Sequence, residues 1–263
     1  MCPATDAQNN GNWRTAERWA QLLSRFAEVS IHLELDEKTA QDFDLLIALH
    51  ARRSASAIQL WNDTFPDKPL VVVLTGTDLY RDIAQDVNAQ QSLEHADRLV
   101  VLQELGIEPI PKPYHSKTRC IFQSTSLWKP AQKTTQQLRV LMVGHLRSEK
   151  SPETFFEAAR IMASHKEIQF SLIGAGLEPH LLEEAQSLHD SAHHFHYLGA
   201  LPHTQTRTYI RHAHLLIHPS KMEGGAHVIM EAICSGTPVL ASDIPGNQGM
   251  LGPDYAGYFE WGR

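Results

Sequence analysis

The chain has 263 residues, 42% of them hydrophobic and 20% charged, a globular composition that excludes disordered, collagenous and disulfide-scaffold classes and suits two moderate domains. Its 23 Lys and Arg against 30 Asp and Glu leave a formal charge of −7, which argues against nucleic acid or an anionic membrane as a partner and confines any anionic ligand to a local basic pocket. The cysteines Cys2, Cys120 and Cys234 are scattered with no C-x-x-C, no apolar run reaches the roughly 18 residues of a membrane span, and the amino terminus has no leader-like region, so the chain reads as cytoplasmic.

Along the chain, apolar runs bounded by turn residues alternate with stretches of helical period, the pattern of a parallel sheet wound with helices. The first half reads as a helix at Thr15–Phe26, a strand at Val29–Leu35, a buried strand at Phe43–Leu49, a helix at Ala55–Asn62, and strands at Leu70–Leu74, Arg98–Leu102 and Arg119–Gln123. Residues 128–137 (WKPAQKTTQQ) are polar, carry a proline and have no apolar period, which marks a linker. The second half reads as strands at Leu138–Val143, Ile168–Ile173, His194–Leu198, His214–Ile217 and Pro238–Ala241. Helices at Pro152–Ser164, Glu178–Leu188, Gln205–His212 and Ala226–Cys234 alternate with them.

The expected fold is therefore α/β: two Rossmann-like doubly wound domains, 1–127 and 138–263, facing across a cleft, with ligand groups at the carboxyl ends of the strands. The opening MCPATDAQNNGN is turn-like where such a domain starts with a buried strand, and the chain stops as another strand or turn is read over 255–263. The first strand and the closing helices are expected to be missing, as in a fragment.

The strongest motif is HPSKMEGGAHVIMEA, residues 218–232, in which Glu223 and Glu231 stand eight positions apart. A strand ends at a loop carrying Glu223; Gly224, Gly225 and Ala226 let a ligand approach the backbone where a helix begins, and helix-start amides suit a phosphate. Glu231, about two turns on, can accept from hydroxyls, so the combination suits a ligand with phosphates and a polyol. Read singly, the two glutamates would be a helix cap and a solvated side chain. The whole stretch resembles the E-x7-E donor segment of family 4 retaining glycosyltransferases of the GT-B type. That resemblance implies that Glu223 meets the donor sugar and Glu231 the nucleotide ribose, with His227 in the same donor segment.

Val143-Gly144-His145-Leu146-Arg147-Ser148-Glu149-Lys150 leads from a strand to a helix. It resembles the family's G-R-L-x-x-x-K-G, whose cations neutralise the donor diphosphate; Lys150 matches, His145 stands where the Arg is usual, and Arg147 is expected to supply its charge. The catalytic set is thus Arg147, Lys150 and Glu223. Gly174 and Gly176 follow a strand, but Pro179 breaks a full G-x-G-x-x-G, which disfavours a nicotinamide oxidoreductase; the resemblance places their backbone beside the nucleotide.

In the first half, GNWRTAERWA from Gly11, ALHARRSA from Ala48, LTGTDLYRD from Leu74 and VVLQEL from Val100 look like the selenosugar synthase branch of this superfamily. That branch moves a sugar from UDP-N-acetylglucosamine or UDP-glucose to selenophosphate in the route to selenoneine. Gly11 and Asn12 join the donor set on the same footing. Many relatives have H-G-T-D where this chain has Thr75-Gly76-Thr77-Asp78, so a catalytic role for that histidine does not carry over. His50, Arg52, Arg53, Thr77, Asp78 and Arg81 gather at two expected strand ends as an acceptor site, the arginines offering planar forks to phosphoryl oxygens; the competing reading pairs these arginines with Asp78 or Asp82. Trp13 and Trp19 are expected to pack. The sixteen histidines show no metal-binding spacing, and neither metal nor cofactor is expected beyond the donor itself. The other readings are a family 4 enzyme with a hydroxyl or thiol acceptor, and a nucleotide-sugar-binding fragment without turnover.

Overall fold

The computed structural model describes residues 1–8 and 10–262, so residue 263 of the closing stretch lies outside the described residues. The chain divides into two compact units, residues 1–124 with 223–227, and residues 125–222 with 228–263.

The first unit holds a four-stranded sheet in the order β1-β2-β3-β4, with β1 at Leu46–Leu49, β2 at Leu70–Val73, β3 at Arg98–Val101 and β4 at Thr118–Cys120, every pair parallel. The runs LIAL and LVVV are apolar at consecutive positions because both faces are covered, as parallel strands require. On one face Leu46, Ala48, Val72, Leu99 and Val101 pack with Ile58, Trp61 and Leu93 from helices Ala55–Thr64 and Val87–His95. On the other, Leu49, Val73 and Val100 pack with Cys2, Ala16, Trp13 and Trp19. The first helix is Gly11–Leu23, started by Asn10, whose side chain accepts from the Trp13 amide.

The strand expected at Val29–Leu35 does not form. Its alternation puts Val29, Ile31, Leu33 and Leu35 on one face, yet only Ile31 and Leu35 reach apolar neighbours, while Val29 and Leu33 are exposed. One backbone bond, from the Cys2 amide to the His32 carbonyl at 2.9 Å, ties the segment down, and a single bond is no ladder. Helix Val87–His95, capped by Asp86, carries too few apolar residues to be legible from the sequence.

The second unit holds a six-stranded parallel sheet in the order β10-β9-β8-β5-β6-β7: β5 Leu138–Val143, β6 Ile168–Ile173, β7 Phe195–Tyr197, β8 Leu215–His218, β9 Val239–Ser242 and β10 Tyr258–Phe259. Val140, Met142, Phe170, Leu172 and Phe195 form one face and bury Phe155, Phe156, Leu181 and Ala185 from helices Pro152–Ile161 and Pro179–Ser191. Strand order reverses between β5 and β8, so the chain leaves those two neighbours in opposite directions and opens a crevice at their carboxyl ends. Residues 128–137 have no regular structure and bond within this unit: the Trp128 amide to the Cys234 carbonyl, and Lys133 to Gly236 and Thr237. Among the described residues no helix is long and apolar enough to cross a membrane.

Candidate functional site

In the second unit the switch point is lined by the two loops that the sequence singles out. After β5, Gly144 opens a turn that runs against the turn after β6. A Cβ on Gly174 would fall 1.9 Å from the Gly144 carbonyl oxygen, so only glycine lets the two turns meet. Gly176 is held the same way, its missing Cβ facing Leu182 at 2.8 Å. His145, where the related motif has arginine, accepts from the Ala175 amide through Nδ1 at 3.0 Å and so acts as a brace between the turns.

Leu146 is fully buried and anchors the loop; beyond it Ser148 donates through both amide and hydroxyl to Glu178, at 2.8 and 2.5 Å. Those two hydrogen bonds, the hydroxyl's first, hold the Glu178 carboxyl below its ordinary range. Between these fixed points lies Arg147, whose Nε is buried and makes no hydrogen bond with any described residue. A guanidinium N–H left this way costs stability unless a ligand completes it. The stem of Lys150 lies over Gly144, its Cγ and Cδ 3.6 Å from where a Cβ would sit. The loop after β8 joins in through the Lys221 amide, which donates to the Glu149 carbonyl at 3.1 Å.

Helix His227–Ile233 follows that loop and carries Glu231, only 6% exposed. Its Oε1 lies 2.5 Å from His203 Nε2. His203 is absent from the expected site: it stands 28 residues before Glu231, and no motif links them.

In the first unit the expected acceptor residues do come together at the carboxyl ends of β1 and β2. His50 follows β1 in the left-handed conformation, with φ of 73°, and is 1% exposed. Its Nδ1 accepts from the Arg53 amide at 3.3 Å, so Nε2 carries the proton and donates to the Thr77 hydroxyl at 3.0 Å. Burial pushes the imidazole below its ordinary value; Asp78 and Asp82 oppose this and Arg53 and Arg52 add to it. Asp78, fully buried, accepts from the amides of Ala51, Thr75 and Gly76, each at 2.9 Å, and so joins the two strand-end turns.

The arginines find an acid, as the competing reading has it: Arg52 and Arg81 both donate through Nε to Asp82, at 2.7 and 2.9 Å. Burial of Asp82 raises its pKa, and the two guanidinium groups outweigh that and hold the carboxyl below its ordinary range. Arg52 and Arg81 keep about two-fifths of their side chains exposed.

Residues 223–227 belong to this first unit. Gly224 is pressed against its backbone and Gly225 against a side chain: Cβ atoms there would lie 2.4 Å from the Thr75 carbonyl carbon and 2.7 Å from Leu102 Cβ. Their smallness thus lets the chain pack closely on itself here, a use of these glycines in addition to the backbone approach expected for a ligand. Glu223 is 8% exposed. His227 Nε2 lies 3.3 Å from the Thr15 hydroxyl, which bonds back to the Gly11 carbonyl and accepts from Gln123. Gly11 and Asn12 open helix Gly11–Leu23, and a Cβ on Gly11 would meet nothing within 4 Å.

Comparison with known proteins places these sites in context. The family described as glycosyl transferases group 1 matches residues 125–260. The 2-deoxystreptamine N-acetyl-D-glucosaminyltransferase of Niallia circulans is 28% identical over 108 residues, 41% of this chain and 28% of the relative. Among solved structures, sucrose-phosphate synthase from Thermosynechococcus elongatus superposes with a TM-score of 0.70 at 19% identity, covering 96% of this chain and 65% of that one. Anabaena HepE in complex with UDP and glucose gives 0.66 at 17% identity, covering 86% and 66%. The α/β fold with its parallel sheets is that of the GT-B proteins. This chain spans less than two thirds of the length of the first relatives it matches.

Proposed function

This chain belongs to the group 1 glycosyl transferases, and on that footing we propose that it moves a sugar from a UDP-sugar to a small anionic acceptor. The donor is UDP-N-acetylglucosamine or UDP-glucose and the acceptor selenophosphate, as the selenosugar synthase resemblance implies. Support for the donor comes from the N-acetylglucosaminyltransferase named above and from HepE with its UDP and glucose.

The observation that carries this reading is Arg147, a guanidinium with a buried, unbonded Nε on the loop where the second sheet reverses. Together with Lys150 it would meet the diphosphate, and Glu223 the sugar hydroxyls. The backbone at Gly174, Gly176 and Gly224–His227, with Gly11 and Asn12, completes the donor set, and Glu231 takes the ribose. Selenium forms the bond to the anomeric carbon as the bond from that carbon to the UDP oxygen breaks, its electron pair leaving on UDP. Arg147 and Lys150 stabilise that developing charge, the electrostatic contribution expected to dominate. Selenophosphate is a strong nucleophile and needs little help from a base. Arg52, Arg53 and Arg81, with His50, Thr77 and Asp78, are proposed to receive it.

One observation favours a second reading. Because Asp82 already engages Arg52 and Arg81, the cluster holds less net positive charge than its arginines suggest, which suits a neutral hydroxyl or thiol acceptor. UDP release from each donor with selenophosphate decides: Arg147→Ala and Glu223→Ala should each lose about 10² in rate. Undiminished release in both removes the mechanism. Turnover with thiols or hydroxyls but not selenophosphate removes the acceptor and keeps the transferase, whereas tight UDP binding without transfer would leave only a binding module.

A further inference from the structure

Glu231 is a carboxylate in a nearly closed place, and a buried carboxylate is costly unless it is hydrogen-bonded. Its Oε1 is bonded by His203 at 2.5 Å; Oε2 makes no hydrogen bond with a described residue and is not sealed from solvent. A carboxylate only accepts, so His203 Nε2 is the donor, and the bond fixes one of the two oxygens.

His203 itself stands on a rigid base. It opens helix His203–His212, whose inner side is held by fully buried Ile210, by Thr237, which donates to the Ile210 carbonyl at 2.7 Å, and by Arg207. Arg207, 3% exposed, donates to the Thr125 hydroxyl at 2.7 Å and the Ser126 carbonyl at 2.9 Å and lies 4.6 Å over the Trp128 ring.

We propose that His203 is a positioning residue for nucleotide recognition: by holding Oε1 of Glu231 it turns Oε2 to a vicinal diol, the ribose 2′- and 3′-hydroxyls of the nucleoside diphosphate. This rests on the donor reading above and deepens it. A group of this kind acts through the orientation of the residue that touches the ligand, as outer partners do for metal ligands.

The test compares the affinity of the whole chain for UDP and for 2′,3′-dideoxy-UDP by titration calorimetry. The wild type should prefer UDP by roughly tenfold or more, the worth of a hydrogen bond to a charged group. His203→Leu should lose most of that preference by weakening UDP binding alone, while His203→Gln, which keeps an N–H donor, recovers part of it. Should His203→Leu not fold, His203→Asn, too short to reach Glu231, takes its place in the comparison. Undiminished preference in the variant overturns the proposal, and so does a fall in affinity for both nucleotides alike, which marks a purely structural role. Wild type that binds both nucleotides equally overturns it too while sparing the diphosphate reading. Failure to bind either nucleotide removes the donor reading itself.

Discussion

Gly224 sits so close to Thr75 that a Cβ on it would lie 2.4 Å from the Thr75 carbonyl carbon and 2.5 Å from its oxygen. The loop at 223–227 and the turn after β2 therefore share a backbone contact that no side chain can enter. Gly76 completes it from the other side, with φ of 140° and its own missing Cβ 3.0 Å from the Gly224 amide nitrogen.

Gly224→Ala is accordingly expected to destabilise the fold by about 1–3 kcal/mol, the usual cost of forcing an extra carbon into a packed site. Urea denaturation of the two proteins measures this. An unchanged midpoint would mean that the contact gives way freely.

His50 is expected to make the first unit sensitive to mild acid. Burial, the largest influence, holds its pKa below the unfolded value of about 6.5, against the attraction of Asp78 and Asp82. A group depressed in the folded state binds fewer protons there than when unfolded, so its contribution is complete above about pH 6.5 and is lost as pH falls toward the folded value. His50→Asn, which tolerates the left-handed backbone, should flatten the loss of stability as pH falls below about 6.5. Thermal midpoints across that range test it, and parallel curves for the two proteins would exclude His50 as the cause.

Arg207 ties the segment at 125–128 to helix His203–His212 with two hydrogen bonds and a ring contact. Arg207→Lys keeps the charge but not the planar fork, and should cost about 2 kcal/mol while exposing this segment. Hydrogen exchange of the amides at 125–134, faster in the variant than in the wild type, is the expected signature. Unchanged protection would show that the segment is held by other contacts, such as the Trp128 amide to the Cys234 carbonyl.

The strands were legible where both faces are buried. Leu138–Val143 and Ile168–Ile173 are legible residue for residue, because continuous apolar runs between turn signals have few other uses. Val29–Leu35 failed because alternation states which residues share a face and is silent on whether a partner strand lies alongside. The strand-end residues His50, Thr77 and Asp78 were gathered correctly by the sequence, since the ends of parallel neighbours lie on one edge.

Two relationships emerge only on folding. Glycines 224 and 225 suit the approach of a ligand to the backbone, and the fold in addition sets Thr75 and Leu102 against them. Asp82 is one of two acids near these arginines in the sequence, and the fold makes it the shared partner of Arg52 and Arg81.

By itself the sequence determined the α/β class, the order of most strands along the chain and the loops at their ends, because hydrophobic period and turn chemistry act between near neighbours. Strand order across each sheet, the switch point between β5 and β8, and the bond from His203 to Glu231 were decided by tertiary structure alone. They join residues distant in sequence, and only the packing of both sheet faces brings such residues within reach.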